Sequence, residues 1–295
     1  MISPEQAQKA DFWRQLNPDL HIDGHAGAAN GHDTGPMAAG MLFDPAKIDF
    51  STLSDRFWDE GYFLLSDVLA VDVLARVRNA IERLVAARLP PAMIYLYDEA
   101  WQVFAALSPL LSHFLGDRVA LLPHFWAWHI DPGAQGKGWP PHRDYQGESV
   151  IGDDMLISLS LWVPLSDATP ENGCMYVLPR SFERWYKSPV SKPQDVLLQD
   201  VRALPAVPGA VMGWRQDVYH WGGRASSYAA SPRISLSLEF QNAAFDPLGE
   251  PLLDMTSPPQ FKTRLALIGA QFAKYQHMQD MDKDVLAWAE GLVSI

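Results

Sequence analysis

Residues 155–164 read MLISLSLWVP, and residues 233–240 read RISLSLEF. Both alternate with a period of two, as a strand does when successive side chains point to opposite faces. In the first, Ile157, Leu159, Leu161 and Val163 fall on one side and Leu156, Ser158, Ser160 and Trp162 on the other. In the second, Ile234, Leu236, Leu238 and Phe240 oppose Arg233, Ser235, Ser237 and Glu239. A polar strand face ordinarily meets solvent, and the pattern alone favours that reading. A face of small hydroxyls with one Arg and one Glu is also able to line a cavity between two sheets, as in a jelly roll.

Working outward, 119–130, 174–179 and 210–214 read as further strands separated by Pro- and Gly-rich turns, of which Thr169-Pro-Glu-Asn-Gly is the strongest. Upstream, 61–66 (GYFLLS) reads as a strand. An amphipathic helix follows from Asp67 to about Ala87, with Leu69, Val73, Leu74, Val77, Ile81, Leu84 and Val85 on one stripe. A short helix is expected over 4–16, and closing helices over 259–278 and 281–293. Residues 23–40, DGHAGAANGHDTGPMAAG, are too poor in large apolar side chains to build core and read as a loop or active-site lid. Helices flanking an antiparallel β core make the fold class α+β. A single domain over 1–295 is expected: a helical and loop region to 118, a β core over 119–242 and a helical tail from 243.

Composition narrows the function. Hydrophobic residues make up 48% and charged residues 20%, which excludes a disordered chain. The net charge of −12 repels phosphate backbones, so no nucleic-acid partner is expected. Cys174 is the only cysteine, which excludes an intrachain disulfide and a multi-cysteine zinc site. No apolar run is long enough to span a membrane. The opening MISPEQAQKADFW lacks a basic end followed by an apolar stretch, so a cytoplasmic location is the expectation.

The chemistry is concentrated in Pro140-Pro141-His142-Arg143-Asp144. On an extended strand, residues i and i+2 share a side, so one imidazole and one carboxylate reach a common metal. A second His from a distant strand would complete a two-His, one-carboxylate triad of the non-haem Fe(II) kind, which leaves coordination positions open. His-x-Asp alone is weak: it also occurs at His21–Asp23, beside the glycine-rich loop, and at His129–Asp131, where the acid belongs to an Asp-Pro-Gly turn.

Downstream context strengthens the third copy. His142-x-Asp144, then LWVPLSDATPENGCMYVLPRS (161–181), PGAVMGWRQDVYHWGG (208–223) and Arg233-x-Ser235, together with GYFLLSDVLAVDVLARVRNAI (61–81), resemble the phytanoyl-CoA dioxygenase family of Fe(II)/2-oxoglutarate oxygenases, in particular its ectoine-hydroxylase members. The resemblance covers roughly 60–245 and departs at two places. Pro179-Arg-Ser-Phe182 replaces the usual Pro-Gly-Ser-His, and Gly222 stands where a hydroxyl residue is frequent.

The resemblance implies a double-stranded β-helix (jelly-roll, cupin-like) core with flanking helices, and a hydroxylase that releases succinate and CO2. His142, Asp144 and His220 would ligate Fe(II). Arg233 and Ser235 would hold the far carboxylate of 2-oxoglutarate, with His129 and Ser160 as further cosubstrate contacts and O2 as the oxidant. His220 could instead be a core histidine bonded to backbone, and Arg224 competes with Arg233 as anchor. His129 could equally be packed or solvated.

Beside the motif, Arg143, Tyr145, Gln146 and Trp221 are candidate substrate contacts. Of Trp126, Trp128, Trp139, Trp162, Trp214 and Trp221, most are expected in the core and one or two against substrate. The expected partner is a small molecule, with the chain a monomer or homodimer. Two competing readings use the same scaffold: a cupin-like metal-dependent isomerase, and a non-catalytic binding protein. The Arg233-x-Ser235 anchor speaks against the isomerase, and the intact metal ligands against the binder.

Overall fold

The computed structural model describes residues 2–26, 42–132, 138–145, 147, 149–152, 155–187, 190, 192–255, 257–276 and 283–293. Eight strands organise it: β1 (Tyr62–Leu65), β2 (Val119–Ile130), β3 (Ser158–Pro164), β4 (Met175–Leu178), β5 (Arg202–Leu204), β6 (Val211–Arg215), β7 (Tyr219–Gly222) and β8 (Arg233–Asn242). The larger sheet runs β1-β6-β3-β8-β2 and the smaller β7-β4-β5, every pairing antiparallel. This is the expected double-stranded β-helix, or jelly roll, with helices on one flank.

The two faces of the larger sheet have different partners. Outward, Phe125, Leu159, Leu161, Leu236 and Phe240 join one apolar cluster with the helices Val71–Ala86, Asp98–Ala105, Ser108–Leu115 and Phe261–Lys274. Inward, Trp162, Met212 and Trp214 meet Met175, Val177 and Leu204 of the smaller sheet in a second cluster. Burying apolar area on both faces of β3 explains why all seven of its residues are buried.

The solvent-facing reading of β8 is therefore wrong. Arg233, Ser235 and Gln241 are buried, because the smaller sheet and its loops cover the face that the strand's own pattern leaves polar. A strand's alternation separates its two faces but does not say what covers either one.

The helix over 50–60 has no counterpart in the sequence reading. Asp49 caps it by accepting from Ser51 N and Thr52 N, and Gly61 ends it in the left-handed conformation (φ 82°), so the chain turns directly into β1. The next helix begins at Val71 rather than at Asp67, because Val68 N and Leu69 N both donate to Gly209 O in the turn before β6. The expected helix over 4–16 is two short ones, Pro4–Ala7 and Ala10–Leu16, with the Trp13 indole donating to Ala7 O between them. Residues 27–41, most of the expected lid, lie outside the described residues. Among the described residues, no helix is long and apolar enough to cross a membrane.

Candidate active site

His142 and His220 are cross-strand partners. His142 N donates to His220 O (3.0 Å) and His220 N donates to His142 O (2.9 Å), an isolated antiparallel bridge on the edge of β7. Such a pair places its side chains on the same face, and the two ring centroids stand 4.4 Å apart. Asp144, two residues on, turns Oδ1 toward both rings, 3.3 Å from His142 Nε2 and 3.5 Å from His220 Nε2. One donor atom from each of the three lies within 4.8 Å of the others.

Each ligand is held from behind. His142 Nδ1 donates to Pro140 O (2.8 Å) and His220 Nδ1 to Val218 O (3.0 Å), which leaves both Nε2 lone pairs facing the shared point. Asp144 Oδ2 accepts from Ser160 Oγ (2.7 Å) and Trp214 Nε1 (2.9 Å), which β3–β6 pairing sets side by side. Trp139 Nε1 donates to His142 Nε2 (3.1 Å), a bond that an incoming ion would replace.

Burial pushes the His220 imidazole down to about 4, so it is neutral at physiological pH, as a ligand must be. Burial also works to lower His142, but its hydrogen bond to Asp144 and that group's charge outweigh burial and raise it. Asp144 would be raised by burial, yet the adjacent His220 and His142 rings and the Ser160 hydroxyl hold it below the usual carboxylate range. Two imidazole nitrogens and one ionised oxygen suit a divalent first-row ion with open positions.

The cavity in front of this triad contains a buried cation with no counterion. Arg233 is 3% exposed; among the described residues it has no salt-bridge or hydrogen-bond partner, and its Nε is buried and unsatisfied. Burial lowers its pKa to about 10, so it stays charged at neutral pH. The neighbouring Ser235 Oγ and Trp162 Nε1 are likewise buried without partners. Native proteins seldom leave such groups unpaired, so the cluster fits an absent anion, the role expected for a carboxylate of 2-oxoglutarate. Gly222 makes room for it: a Cβ there would come 3.0 Å from Arg233 Nη2, so the missing hydroxyl residue and the position of the guanidinium go together. Arg224, the competing anchor, is exposed.

The other expected contacts divide: Ser160, Arg143 and Tyr145 line the cavity, and His129 and Trp221 are not among its lining residues. Ser160 lines the cavity, but its hydroxyl is spent on Asp144. His129 stands on the β2 face shared with Phe125, away from the cavity-lining Trp126 and Trp128, and lies 3.6 Å from Asp131. Arg143 is committed to Asp217 O, Val190 O and the Glu183 carboxylate, so its guanidinium is a brace for the loop carrying the motif. Trp221, adjacent to His220, points to the other face and stacks on Tyr176. Tyr145 does line the cavity, and Gln146 lies outside the described residues. His21 is buried against Glu99 (2.7 Å), while Asp23 accepts from Phe261 N, so that His-x-Asp pair ties the N-terminal segment to two helices.

Sequence reasoning missed Trp214 as a support of Asp144, and missed a second polar group. Glu239 lies next to Ser160 across β3–β8. Its Oε2 accepts from His124 Nδ1 (3.0 Å) and Gln216 Nε2 (3.1 Å). The signal was present as the lone acid on a strand face of serines. Five of the six tryptophans line the cavity, where most were expected in the core.

Residues 97–233 match the family model of phytanoyl-CoA dioxygenase. The matched stretch, somewhat under half of the chain, is similar to the phytanoyl-CoA dioxygenase family. Solved structures agree on the fold. EctD from S. alaskensis, determined with 2-oxoglutarate and 5-hydroxyectoine, is 22% identical, with a TM-score of 0.51 over 72% of this chain and 85% of EctD. The non-haem α-ketoglutarate-dependent epimerase SnoN of nogalamycin biosynthesis is 18% identical, with a TM-score of 0.51 over 74% of this chain and 93% of SnoN. EvdMO1, 20% identical at a TM-score of 0.51, is matched over 66% of this chain, which spans half of EvdMO1's length.

Proposed function

We propose that this protein is an Fe(II)/2-oxoglutarate-dependent dioxygenase that hydroxylates an unactivated C–H bond of a small molecule. The observation that carries the reading is the pairing of the triad His142, Asp144 and His220 with Arg233, a buried cation that lines the same cavity and lacks a counterion among the described residues. A metal-dependent isomerase on this scaffold has no use for that anchor.

In this reading the three ligands hold Fe(II), while Arg233 and Ser235 hold the distal carboxylate of 2-oxoglutarate. The bound pair supplies O2 activation, with succinate and CO2 as products. Ser160 and Trp214 keep Asp144 ionised and turned so that one oxygen remains for the metal. The walls formed by Trp126, Trp128 and Trp139 exclude water and give the substrate an apolar surface to lie against. Hydroxylation is preferred over epimerisation, desaturation or ring formation as the simplest outcome of placing one C–H bond before the metal.

Anaerobic addition of Fe(II) and then 2-oxoglutarate is expected to give a visible metal-to-cosubstrate charge-transfer band. Admission of O2 with a panel of metabolites should then release succinate in step with one of them. Absence of the band at saturating Fe(II) and 2-oxoglutarate contradicts the reading.

A further inference from the structure

Glu239 is an acid lining the same cavity, where burial raises its pKa. Both of its hydrogen bonds fall on Oε2, from His124 and Gln216, while Oε1 accepts none among the described residues. Among the described residues its one ion-pair partner is His124, and no Lys or Arg pairs with it. On the far side of that ring, Lys274 Nζ, which has only protons to give, donates to His124 Nε2 (2.9 Å). The tautomer therefore carries its proton on Nδ1, directed at Glu239. The result is a cavity-lining carboxyl group with both of its hydrogen bonds on one oxygen.

The cavity that Glu239 lines is rich in aromatic rings. Trp126 and Trp128 stack at 5.6 Å, Trp139 meets Trp128 edge-on at 5.3 Å, and Tyr275 closes on Trp126 at 5.0 Å. All four line the same cavity as Glu239. Aromatic faces around a carboxylate favour a cationic nitrogen, through ring quadrupoles and direct charge. The cavity thus offers one site for an anion, Arg233, and a separate one for a cation.

We propose that the molecule oxidised here carries an amine in its ammonium form, and that Glu239 is the specificity-determining residue that binds it. The inference rests on the dioxygenase reading for the identity of the site, but it makes a claim about recognition that is measured separately.

Three probes share one apolar body and differ in the head group: 2-phenylethylamine, 2-phenylethanol and ethylbenzene. Their affinities are read by tryptophan fluorescence on the Fe(II)- and 2-oxoglutarate-loaded protein under anaerobic conditions. The wild type should bind the amine about tenfold or more tightly than the other two, as expected for one desolvated charge-assisted contact. Glu239→Gln keeps the shape and the hydrogen-bonding capacity and should bring all three within about threefold. Glu239→Leu should do the same. A wild type that binds the amine no better than the alcohol, or does not bind it at all, overturns the proposal. So does an amine preference that survives in Glu239→Gln. The charge-transfer band is recorded on the same samples and should be unchanged in both variants. Its absence from wild type would count against the dioxygenase reading, while the amine preference and its loss would still report on Glu239.

Discussion

Replacing Arg233 by Met should remove cosubstrate binding and leave the unloaded protein at least as stable. The guanidinium is 3% exposed and has no counterion among the described residues. Burial takes its pKa from the usual guanidinium range down to about 10. At about 1.4 kcal/mol per pH unit, the folded state carries a burden on the order of 3 kcal/mol wherever the group is charged in both states, which includes neutral pH. Because the folded value lies below the unfolded one, this burden is relieved only as pH rises above about 10. Met keeps most of the aliphatic stem and removes the charge.

For a chain of this size, 1 kcal/mol moves the melting temperature by roughly 2 °C, so the unloaded variant should melt at the wild-type temperature or up to about 6 °C higher. Wild type with a resident divalent metal should gain a further shift from saturating 2-oxoglutarate, about 2.7 kcal/mol at a hundredfold excess over Kd, and the variant should not. Differential scanning calorimetry with and without cosubstrate reads both quantities. A variant that melts several degrees lower and keeps the 2-oxoglutarate shift would refute the reasoning and make Arg233 a structural residue.

Other expectations follow from the same geometry. Ser160→Ala removes one of the two donors on Asp144 Oδ2 and should weaken Fe(II) binding by about tenfold in equilibrium dialysis, with Trp214 retaining the rest. Gly222→Ala places a methyl 3.0 Å from Arg233 Nη2 and should raise the 2-oxoglutarate Kd several-fold while leaving the Fe(II) Kd unchanged. Metal affinity should fall by about tenfold per pH unit once pH drops below the raised His142 value, since the ion must then displace that proton. Below about 4, where His220 also takes a proton, the dependence should steepen; a flat profile from pH 7 to 5 would exclude His142 as a ligand.

The parts of this protein legible in the sequence were those written within one strand or one short motif. The alternation of 155–164 and 233–240 and the stripe from Val73 to Leu84 correspond to elements in the structure, while His142 and Asp144 converge from an isolated bridge and the bend after it rather than from a strand. What escaped depends on register between strands far apart in the chain. Only cross-strand pairing puts Trp214, Ser160 and Glu239 in one row, so the support of Asp144 and the acid beside it could not be read from either strand alone. His129 was offered as a cosubstrate contact by resemblance alone, with a packed or solvated role equally open, and its parity along β2 puts it on the opposite face from the cavity-lining Trp128. The helices over 98–105 and 108–115 bury most of their surface, so they offer no clear polar stripe to mark their period.

The central claim is that His142, Asp144 and His220 together bind one Fe(II). X-ray absorption at the iron edge of the anaerobic Fe(II)-loaded protein tests it most directly. The account predicts one iron per chain in a light-atom shell with the scattering of two imidazoles, reduced to one in His220→Ala and in His142→Ala. A wild-type spectrum without imidazole scattering, or one that the His220 substitution leaves unchanged, would contradict it.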